Sequence, residues 1–366
     1  LIYFFVNELF QKVSCSVNVF IFKIEYYLKF MLIHNIIKMI DNKAIFITGG
    51  TGSFGSEFVK HLLINYKPKR LIVFSRDEMK QWEMAKQFTK YNCLRFFIGD
   101  VREKDRLHRA LINVDYVIHA AATKIVPTAE YNPFECVKTN VIGAMNLIDA
   151  AIDQKVKKVV ALSTDKASSP INLYGATKLA SDKLFTASNA YVGEHGTKFS
   201  VVRYGNVANS RGSVIPLFKE QSKRNHITIT DYSMTRFLIS LRDAIRTVVL
   251  AFEEMEGSEI FVRKIPSIKI LDLAKCIAPK AEFSEIGIRP GEKLHEQLIS
   301  IDESRYTYEF RDYYKILSPL NNWNSSKKRM GKGIQVPDGF SYASDTNNNW
   351  LAGEKLNSWL ARLDKC

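Results

Sequence analysis

The chain has 366 residues, 46% of them hydrophobic with 23 Phe and 16 Tyr, a composition that supports a large core and excludes a disordered protein. The 52 Lys and Arg against 38 Asp and Glu give a net charge of +14, but no recognition motif accompanies it, so we expect an anionic small-molecule partner and no nucleic acid. The five cysteines form no CxxC pair, which predicts no metal site and a reducing, cytoplasmic compartment.

Residues 1–38 differ from the rest of the chain. They are rich in aromatic residues and are interrupted by the charged residues Glu8, Lys12, Lys23, Glu25 and Lys29. The longest apolar run is shorter than the ~18–20 residues of a membrane span, and no signal-peptide cleavage site follows it. We predict a non-native or weakly ordered extension, with the true start near Met31 or Met39. A membrane-surface helix is the alternative, whereas no membrane association is expected for the rest of the chain.

From Asn42 onward, short apolar runs alternate with helical patterns, which is typical of stacked βαβ units. The predicted buried strands are residues 44–48, 71–74, 94–98, 115–119, 158–162 and 199–202. The helix after the first strand carries Phe58, Val59, Leu62 and Leu63 on one face.

Beyond Asn206 this alternation weakens. We therefore predict an α/β fold, in which a doubly wound, parallel Rossmann-type sheet is followed by a smaller C-terminal substrate-binding lobe. The expected boundaries are residues 39–230 for the sheet domain and residues 231–366 for the lobe. One late strand, residues 259–262, is expected to return to the main sheet.

A glycine-rich segment, residues 48–55 (TGGTGSFG), lies between the first strand and the first helix. Gly49, Gly52 and Gly55 permit a sharp turn and a close approach to a pyrophosphate, which the free N–H groups of the helix start bind. The strand–turn–helix context favours a dinucleotide over a tight turn without ligand. The same loop adds the expected cofactor contacts Thr51, Ser53 and Phe54.

The end of the second strand predicts which dinucleotide is used. An NAD site places an acidic residue there for the ribose 2′-hydroxyl, but this strand ends in Ser75 and Arg76, with Lys80 one helical turn later. Cations suit a 2′-phosphate, so the sequence predicts NADP. Asp77 beside them keeps NAD as the alternative.

Further cofactor contacts are expected after the third and fourth strands. Asp100 and Val101 are placed to meet the adenine, although Asp100 as a helix N-cap is an equally valid interpretation. Ala120 and Ala121 follow the fourth strand, and Asn140 precedes the next helix.

A phenol and an ammonium lie four residues apart in residues 174–178 (YGATK), on one face of a helix. A nearby cation lowers a phenol's pKa, so Tyr174 is a candidate base for a sugar hydroxyl, and Lys178 can also hold the nicotinamide ribose. An ordinary exposed helix pair is the alternative. The position about ten residues after the fifth strand and Thr164 favours catalysis.

These residues resemble those of the extended short-chain dehydrogenase/reductases. That family has a catalytic Thr/Ser–Tyr–Lys set, which is matched here by Thr164, Tyr174 and Lys178. Further segments resemble the inverting UDP-N-acetylglucosamine 4,6-dehydratases: residues 163–167 (STDKA), 172–178 (NLYGATK), 203–207 (RYGNV), 210–214 (SRGSV) and 289–293 (RPGEK). The resemblance runs from about Met39 to beyond Trp350. It implies UDP-N-acetylglucosamine as substrate, NADP as cofactor, a homo-oligomer, and the first step of pseudaminic acid synthesis.

Asp165 and Lys166 distinguish this family from its relatives. The resemblance implies that retaining dehydratases carry Asp-Glu at these two positions, and that simple 4-epimerases need neither residue. Dehydration needs a base for the C5 proton and an acid for the departing C6 hydroxyl. A desolvated lysine can have a pKa low enough to act as that base. A solvated Asp–Lys pair is the alternative.

The resemblance also implies substrate contacts. It places Lys124 near cofactor and sugar, although Ile125 stands where the family carries His. The remaining expected contacts are Asn206 and Val214 to the nucleotide-sugar, and Arg289 and Glu292 to the uridine diphosphate. Two rival functions stay open, a UDP-hexosamine 4-epimerase and a non-catalytic NADP-binding scaffold.

Overall fold

The computed structural model describes residues 39–193 and 196–363, so the predicted extension lies outside the described residues. The strands are β1 Ala44–Thr48, β2 Arg70–Ser75, β3 Leu94–Ile98, β4 Tyr116–His119, β5 Lys158–Thr164, β6 Lys198–Tyr204, β7 Asn206–Val207, β8 His226–Ile229, β9 Thr235–Ile239, β10 Ile260–Arg263, β11 Ser267–Lys269, β12 Glu282–Glu285, β13 Gln297–Ile299, β14 Thr307–Glu309, β15 Tyr313–Ile316, β16 Ile334–Gln335 and β17 Tyr342–Ala343.

The helices are α1 Ser53–Asn65, α2 Glu78–Gln87, α3 Lys104–Ala110, α4 Val126–Tyr131, α5 Pro133–Val137, α6 Gly143–Asp153, α7 Leu173–Ala187, α8 Val214–Gln221, α9 Leu241–Glu254, α10 Ile270–Ile277, α11 Lys327–Met330 and α12 Gly353–Leu363. A π-helical turn at Lys138–Ile142 precedes α6. Short 3₁₀ segments lie at Asp165–Ala167, Ser188–Ala190, Ser222–Arg224, Ile301–Tyr306 and Leu320–Ser325. Within the described ranges, no helix is long and apolar enough to cross a membrane.

The main sheet has the strand order β16-β14-β15-β10-β6-β5-β4-β1-β2-β3. Every pairing from β3 to β10 is parallel, whereas β15, β14 and β16 join antiparallel. A parallel sheet is covered on both faces, which is why its strands are continuous apolar runs and all five residues of β1 are buried. The predicted doubly wound sheet is confirmed. Each of the six predicted strands begins and ends within two residues of its expected bounds.

Chain order reverses at β1, which pairs with β2 on one side and with β4 on the other. Such a reversal leaves a crevice at the carboxyl ends of the strands. Helix α1 begins at this crevice, because Phe58, Val59, Leu62 and Leu63 hold its apolar face against the sheet. The fold therefore directs the first N–H groups of α1 toward the crevice.

A second, smaller hydrophobic cluster forms a separate lobe around β7, β9 and β11, with α8, α10 and α12 packed on it. This cluster includes Ala208, Ile215 and Phe218, which precede the boundary expected between residues 230 and 231. Conversely, β10, β14, β15 and β16 lie beyond that boundary but belong to the main sheet. The sheet domain and the smaller lobe are therefore not separated by one boundary in the sequence, because the chain crosses between the two cores more than once.

Candidate active site

A cleft of about 1150 Å³ opens at the carboxyl ends of β1, β4 and β5, between the main sheet and the smaller lobe. Most of the predicted site residues line it: Gly49, Thr51, Gly52, Ser53, Phe54, Gly55, Ser75, Arg76, Asp77, Lys80, Asp100, Val101, Ala120, Ala121, Lys124, Thr164, Lys166, Tyr174, Lys178, Asn206, Arg289 and Glu292. One cavity thus joins the predicted dinucleotide, catalytic and substrate contacts.

The glycine loop has the geometry that a phosphate cradle requires. A Cβ on Gly55 would lie 2.5 Å from the Gly49 carbonyl oxygen, and Gly49 itself has a φ of +64°. Gly52 is the N-cap residue of α1, and no side chain of the described residues caps this helix end. The first N–H groups of α1 are therefore available to an anion, which fits the pyrophosphate of a dinucleotide.

At the end of β2, Ser75 Oγ and Thr51 Oγ1 are 2.7 Å apart. Asp77 caps α2, where its carboxylate accepts from the Lys80 backbone N–H at 2.9 Å and pairs with the Lys80 ammonium. The Arg76 side chain is 65% exposed, and its Nη1 lies 3.6 Å from Asp100 Oδ2. Asp77, the acidic residue that made NAD the alternative cofactor, thus has its carboxylate bonded to the start of its own helix.

Asp100 does not cap the following helix, because α3 begins at Lys104 with Glu103 as its N-cap residue. Instead, the Asp100 carboxylate accepts from the Arg102 backbone N–H at 3.0 Å and from Arg102 Nε at 2.8 Å. The N-cap interpretation of Asp100 is therefore wrong, and its carboxylate rigidifies the loop after β3 at the edge of the cleft.

The loop after β4 is held by a buried pair. Thr48 Oγ1 and His119 Nδ1 are 2.8 Å apart, and Thr48 Oγ1 also accepts from the backbone N–H groups of Ala120 and Ala121. Burial lowers the pKa of His119 to about 3, with the Lys178 ammonium acting in the same direction, so this imidazole is neutral. The pair fixes the backbone that Gly49 approaches.

Tyr174 and Lys178 both lie on α7, whose N-cap residue Asn172 accepts from the Gly175 N–H at 2.7 Å. Gly175 is required here, because its Cβ would lie 2.2 Å from the Lys166 carbonyl oxygen. Helix α7 can therefore pack directly on the Asp165–Ala167 turn. This contact brings the predicted Tyr–Lys pair and the predicted Asp–Lys pair to one place in the cleft.

The expectation of a lowered Tyr174 pKa is wrong for the free protein. Burial raises the pKa of Tyr174 to about 12, although the Lys166 ammonium and the Thr164 hydroxyl lower it. The cation that acts on the phenol is thus Lys166 rather than Lys178. Lys178 is itself buried, and desolvation lowers its pKa while the Asp182 carboxylate raises it.

The Asp165–Ala167 turn begins where β5 ends. Thr164 Oγ1 accepts from the Lys166 backbone N–H at 3.3 Å and donates to Asp165 Oδ1 at 2.9 Å. Lys166 Nζ lies 3.2 Å from Asp165 Oδ1 and 2.9 Å from Glu296 Oε1. Asp165 is fully buried, so the alternative of a solvated Asp–Lys pair is excluded.

The expected low pKa of Lys166 is also wrong for the free protein. Burial by itself lowers the pKa of Lys166, but the Asp165 and Glu296 carboxylates outweigh burial and raise it above its ordinary value. Lys166 is therefore an ammonium in the free cleft and must lose a proton before it can act as a base.

Three predicted site residues do not line the cleft. Asn140 is buried behind it, where its amide bonds the backbone N–H and carbonyl of Thr123 and the Thr177 hydroxyl. Val214 begins α8 and packs against the smaller core, while its neighbour Ser213 lines the cleft. Asp165 lies beneath Lys166, and its buried Oδ2 has no hydrogen-bond partner among the described residues.

At the substrate end, Lys124 Nζ donates to the Arg211 carbonyl oxygen at 3.2 Å. Arg289 Nε and Glu292 Oε2 are 3.1 Å apart, and Glu292 Oε1 lies 3.5 Å from Arg236 Nη2. Ile125 is exposed in the cleft wall. The wall combines the cations Lys124, Arg236 and Arg289 with the Glu292 carboxylate, and such cationic groups suit a diphosphate.

Sequence reasoning missed two buried charged residues of this wall, Arg236 and Glu296. Arg236 donates to the backbone carbonyls of Thr235, Lys293 and Leu294. Glu296 follows the quoted 289–293 segment by three positions, and no local pattern marks it, because its partner Lys166 is 130 residues away. Within the described residues, no group of three or more His, Cys, Asp or Glu could hold a metal ion.

Comparison with known proteins identifies relatives over most of the chain. The family model described as polysaccharide biosynthesis protein matches residues 45–318. A UDP-N-acetylglucosamine 4,6-dehydratase (inverting) from Campylobacter jejuni subsp. jejuni serotype O:23/36 (strain 81-176) is 55% identical, covering 87% of this chain and 97% of that protein. A UDP-glucose 4-epimerase from Rickettsia conorii is 47% identical, covering 79% and 87%. The X-ray structure of Pen from Bacillus thuringiensis is similar with a TM-score of 0.81 at 40% identity, covering 88% and 99%.

Proposed function

The chain belongs to the polysaccharide biosynthesis protein family, and from that premise we propose that it is a configuration-inverting UDP-N-acetylglucosamine 4,6-dehydratase. The observation that carries this proposal is the Asp165–Lys166 turn packed against Tyr174 in the cleft. Oxidation at a sugar carbon needs only Tyr174 and Lys178, whereas loss of water also needs a base for a C–H group and an acid for a hydroxyl. The turn supplies groups of both kinds.

The proposed reaction starts when Tyr174, in its phenolate form, removes the proton of the C4 hydroxyl, while Lys178 would hold the nicotinamide ribose. When bound, the dinucleotide supplies the hydride acceptor and donor for a conversion with no net oxidation. The 4-ketone acidifies C5. Transfer of one proton from the Lys166 ammonium to the Asp165 carboxylate, 3.2 Å away, leaves an amine that removes the C5 proton and a carboxylic acid that supplies the proton for the departing C6 hydroxyl. Return of the hydride at C6, together with protonation of C5 from the opposite face, would give a UDP-4-keto-6-deoxy-L-sugar.

NADP is the proposed cofactor. The support is the exposed Arg76 guanidinium at the end of β2, together with Asp77, whose carboxylate is occupied by the start of α2. A 2′-phosphate would accept charge-assisted hydrogen bonds from Arg76, whereas a 2′-hydroxyl would lack its usual carboxylate acceptor.

Replacing Arg76 by alanine is expected to weaken NADP binding by about 10- to 100-fold and to leave NAD binding within about threefold, because one or two charge-assisted hydrogen bonds are lost. Isothermal titration calorimetry with each dinucleotide measures both. Arg109→Ala removes an exposed arginine from α3 and is the control. Equal NADP affinities for Arg76→Ala and the unmodified protein would refute the assignment.

The wider setting is also proposed: a cytoplasmic homo-oligomer that catalyses the first step of pseudaminic acid biosynthesis. Free Cys93, Cys136 and Cys276 are compatible with a reducing compartment. Exposed Tyr131 and Phe134 on neighbouring helices α4 and α5 are compatible with a subunit contact.

Incubation of the protein with UDP-N-acetylglucosamine and NADP is expected to give a product lighter by one water, with NMR showing inversion at C5. Mass spectrometry separates this outcome from the second candidate, a 4-epimerase, which the Rickettsia relative favours. A product of unchanged mass would establish epimerisation instead. If the protein binds the cofactor but forms no product, the result would support the hypothesis of a non-catalytic NADP-binding scaffold.

A further inference from the structure

Glu296 is a buried carboxylate in the cleft wall that the proposed reaction does not use. The residue is 2% exposed. Its backbone N–H donates to Ser344 Oγ at 2.9 Å, and its carbonyl oxygen accepts from the Ser344 N–H at 2.8 Å. A charge held at a fixed, desolvated position is costly unless it is paired, so the partners of this carboxylate indicate its role.

Among the described residues, partners are found for only one of its two oxygens. Oε1 lies 2.9 Å from Lys166 Nζ and 3.8 Å from Arg236 Nε. Oε2 is buried and has no hydrogen-bond partner among the described residues. A carboxylate placed only to stabilise the fold would normally have both oxygens satisfied. The arrangement therefore favours a role toward Lys166 and the contents of the cleft.

Lys166 has a flexible four-carbon stem, and Asp165 on the same turn gives its ammonium one contact. Glu296 adds a second contact from a segment 130 residues later in the chain. Resting on the proposed function, we infer that Glu296 is a positioning residue for the elimination: it fixes Lys166 Nζ at the cleft wall and stabilises its ammonium form.

The charges around Lys166 give the sign of the effect. The groups that face it are Asp165 from its own turn, Tyr174 from α7, Arg236 from β9, and Lys293 and Glu296 from the segment before β13. In Glu296→Gln, only the Asp165 carboxylate still raises the pKa of Lys166, whereas burial and the cations Arg236 and Lys293 lower it. The pKa of Lys166 should therefore fall, and its amine should become neutral at lower pH.

Competitive labelling of the full-length, ligand-free protein with acetic anhydride across a pH series, followed by peptide mass spectrometry, measures this directly. Lys166 is 23% exposed and can react. In Glu296→Gln it is expected to react about 10-fold faster near neutral pH, because loss of one close opposite charge lowers a pKa by about one unit or more. Glu282→Gln, an exposed carboxylate on β12, is the control and should leave Lys166 unchanged.

The same variants test the consequence for turnover. Glu296→Gln should lower kcat about 10- to 100-fold through misplacement of Nζ, should keep KM for UDP-N-acetylglucosamine within about threefold, and should shift the Lys166-dependent limb of the kcat–pH profile to lower pH. If Glu296→Gln does not fold, Glu296→Asp should show the same changes at smaller size, because its carboxylate is one methylene further from Nζ.

The two proposals can fail separately. Absence of dehydration by the unmodified protein would refute the proposed function, and the labelling result would still stand. Dehydration by the unmodified protein, combined with unaltered Lys166 reactivity and pH profile in a folded Glu296 variant, would overturn the role of Glu296.

Discussion

Replacing Tyr174 by phenylalanine is expected to lower kcat for UDP-N-acetylglucosamine turnover by about 10³-fold, with KM changed by less than about threefold. The substitution removes only the phenolic oxygen, so the packing of α7 on the Asp165–Ala167 turn is kept. Every later step depends on the first deprotonation at C4, and therefore neither reduced nicotinamide nor dehydrated product should accumulate. Steady-state kinetics and single-turnover absorbance of the cofactor measure both.

Tyr191→Phe makes the same chemical change at an exposed tyrosine outside the cleft and should leave kcat unaltered. The pH profile gives a second criterion. Because burial raises the pKa of Tyr174 to about 12 in the free protein, activity that needs its phenolate form should rise toward alkaline pH. A Tyr174→Phe variant that keeps more than about a tenth of the activity would exclude this tyrosine as the base.

Replacing Lys166 by methionine is expected to lower dehydration by about 10³-fold while leaving oxidation at C4 possible. Methionine keeps an unbranched side chain of similar length but can neither hold nor release a proton. Tyr174 and Lys178 remain in place, so reduced nicotinamide should accumulate with bound 4-keto sugar, and no product lighter by one water should form. Rapid-quench mass spectrometry together with cofactor absorbance distinguishes the two stages.

Two controls apply to Lys166→Met. Lys183→Met changes an exposed lysine on the same helix as Tyr174 and should have wild-type kinetics. Solvent deuterium should enter C5 of the sugar in the unmodified protein but not in Lys166→Met. If Lys166→Met loses water from the sugar at an unaltered rate, another group must be the base, and the assignment of the elimination to Asp165 and Lys166 would be wrong.

Much of the fold follows from local patterns in the sequence. The strands β1 to β6 were predicted because a parallel strand covered on both faces needs a continuous apolar run. The phosphate cradle was recognisable because the backbone geometry at Gly49 and Gly55 excludes a side chain. Tyr174 and Lys178 were predicted to share a face because they are four residues apart on a helix.

Other parts of the candidate site could not be predicted in this way. Asn140 lies in the right region of the chain, but the π-helical turn buries its amide behind the cleft. Glu296 carries no local signal, because its significance is its distance to Lys166. The boundary of the smaller lobe also differed: the return of β10 to the main sheet was predicted, but the return of β14, β15 and β16 was not.

The sequence by itself determined the parallel sheet, the glycine loop and most of the set of residues in the cleft, because these depend on periodicity and short-range spacing. Only the tertiary structure decided the protonation of that set. Lys166 was expected to be a low-pKa amine, yet it is an ammonium between Asp165 and Glu296, and Tyr174 has a raised pKa. The physical reason is that a pKa depends on burial and on charges brought within a few ångströms by folding, whatever their separation along the chain.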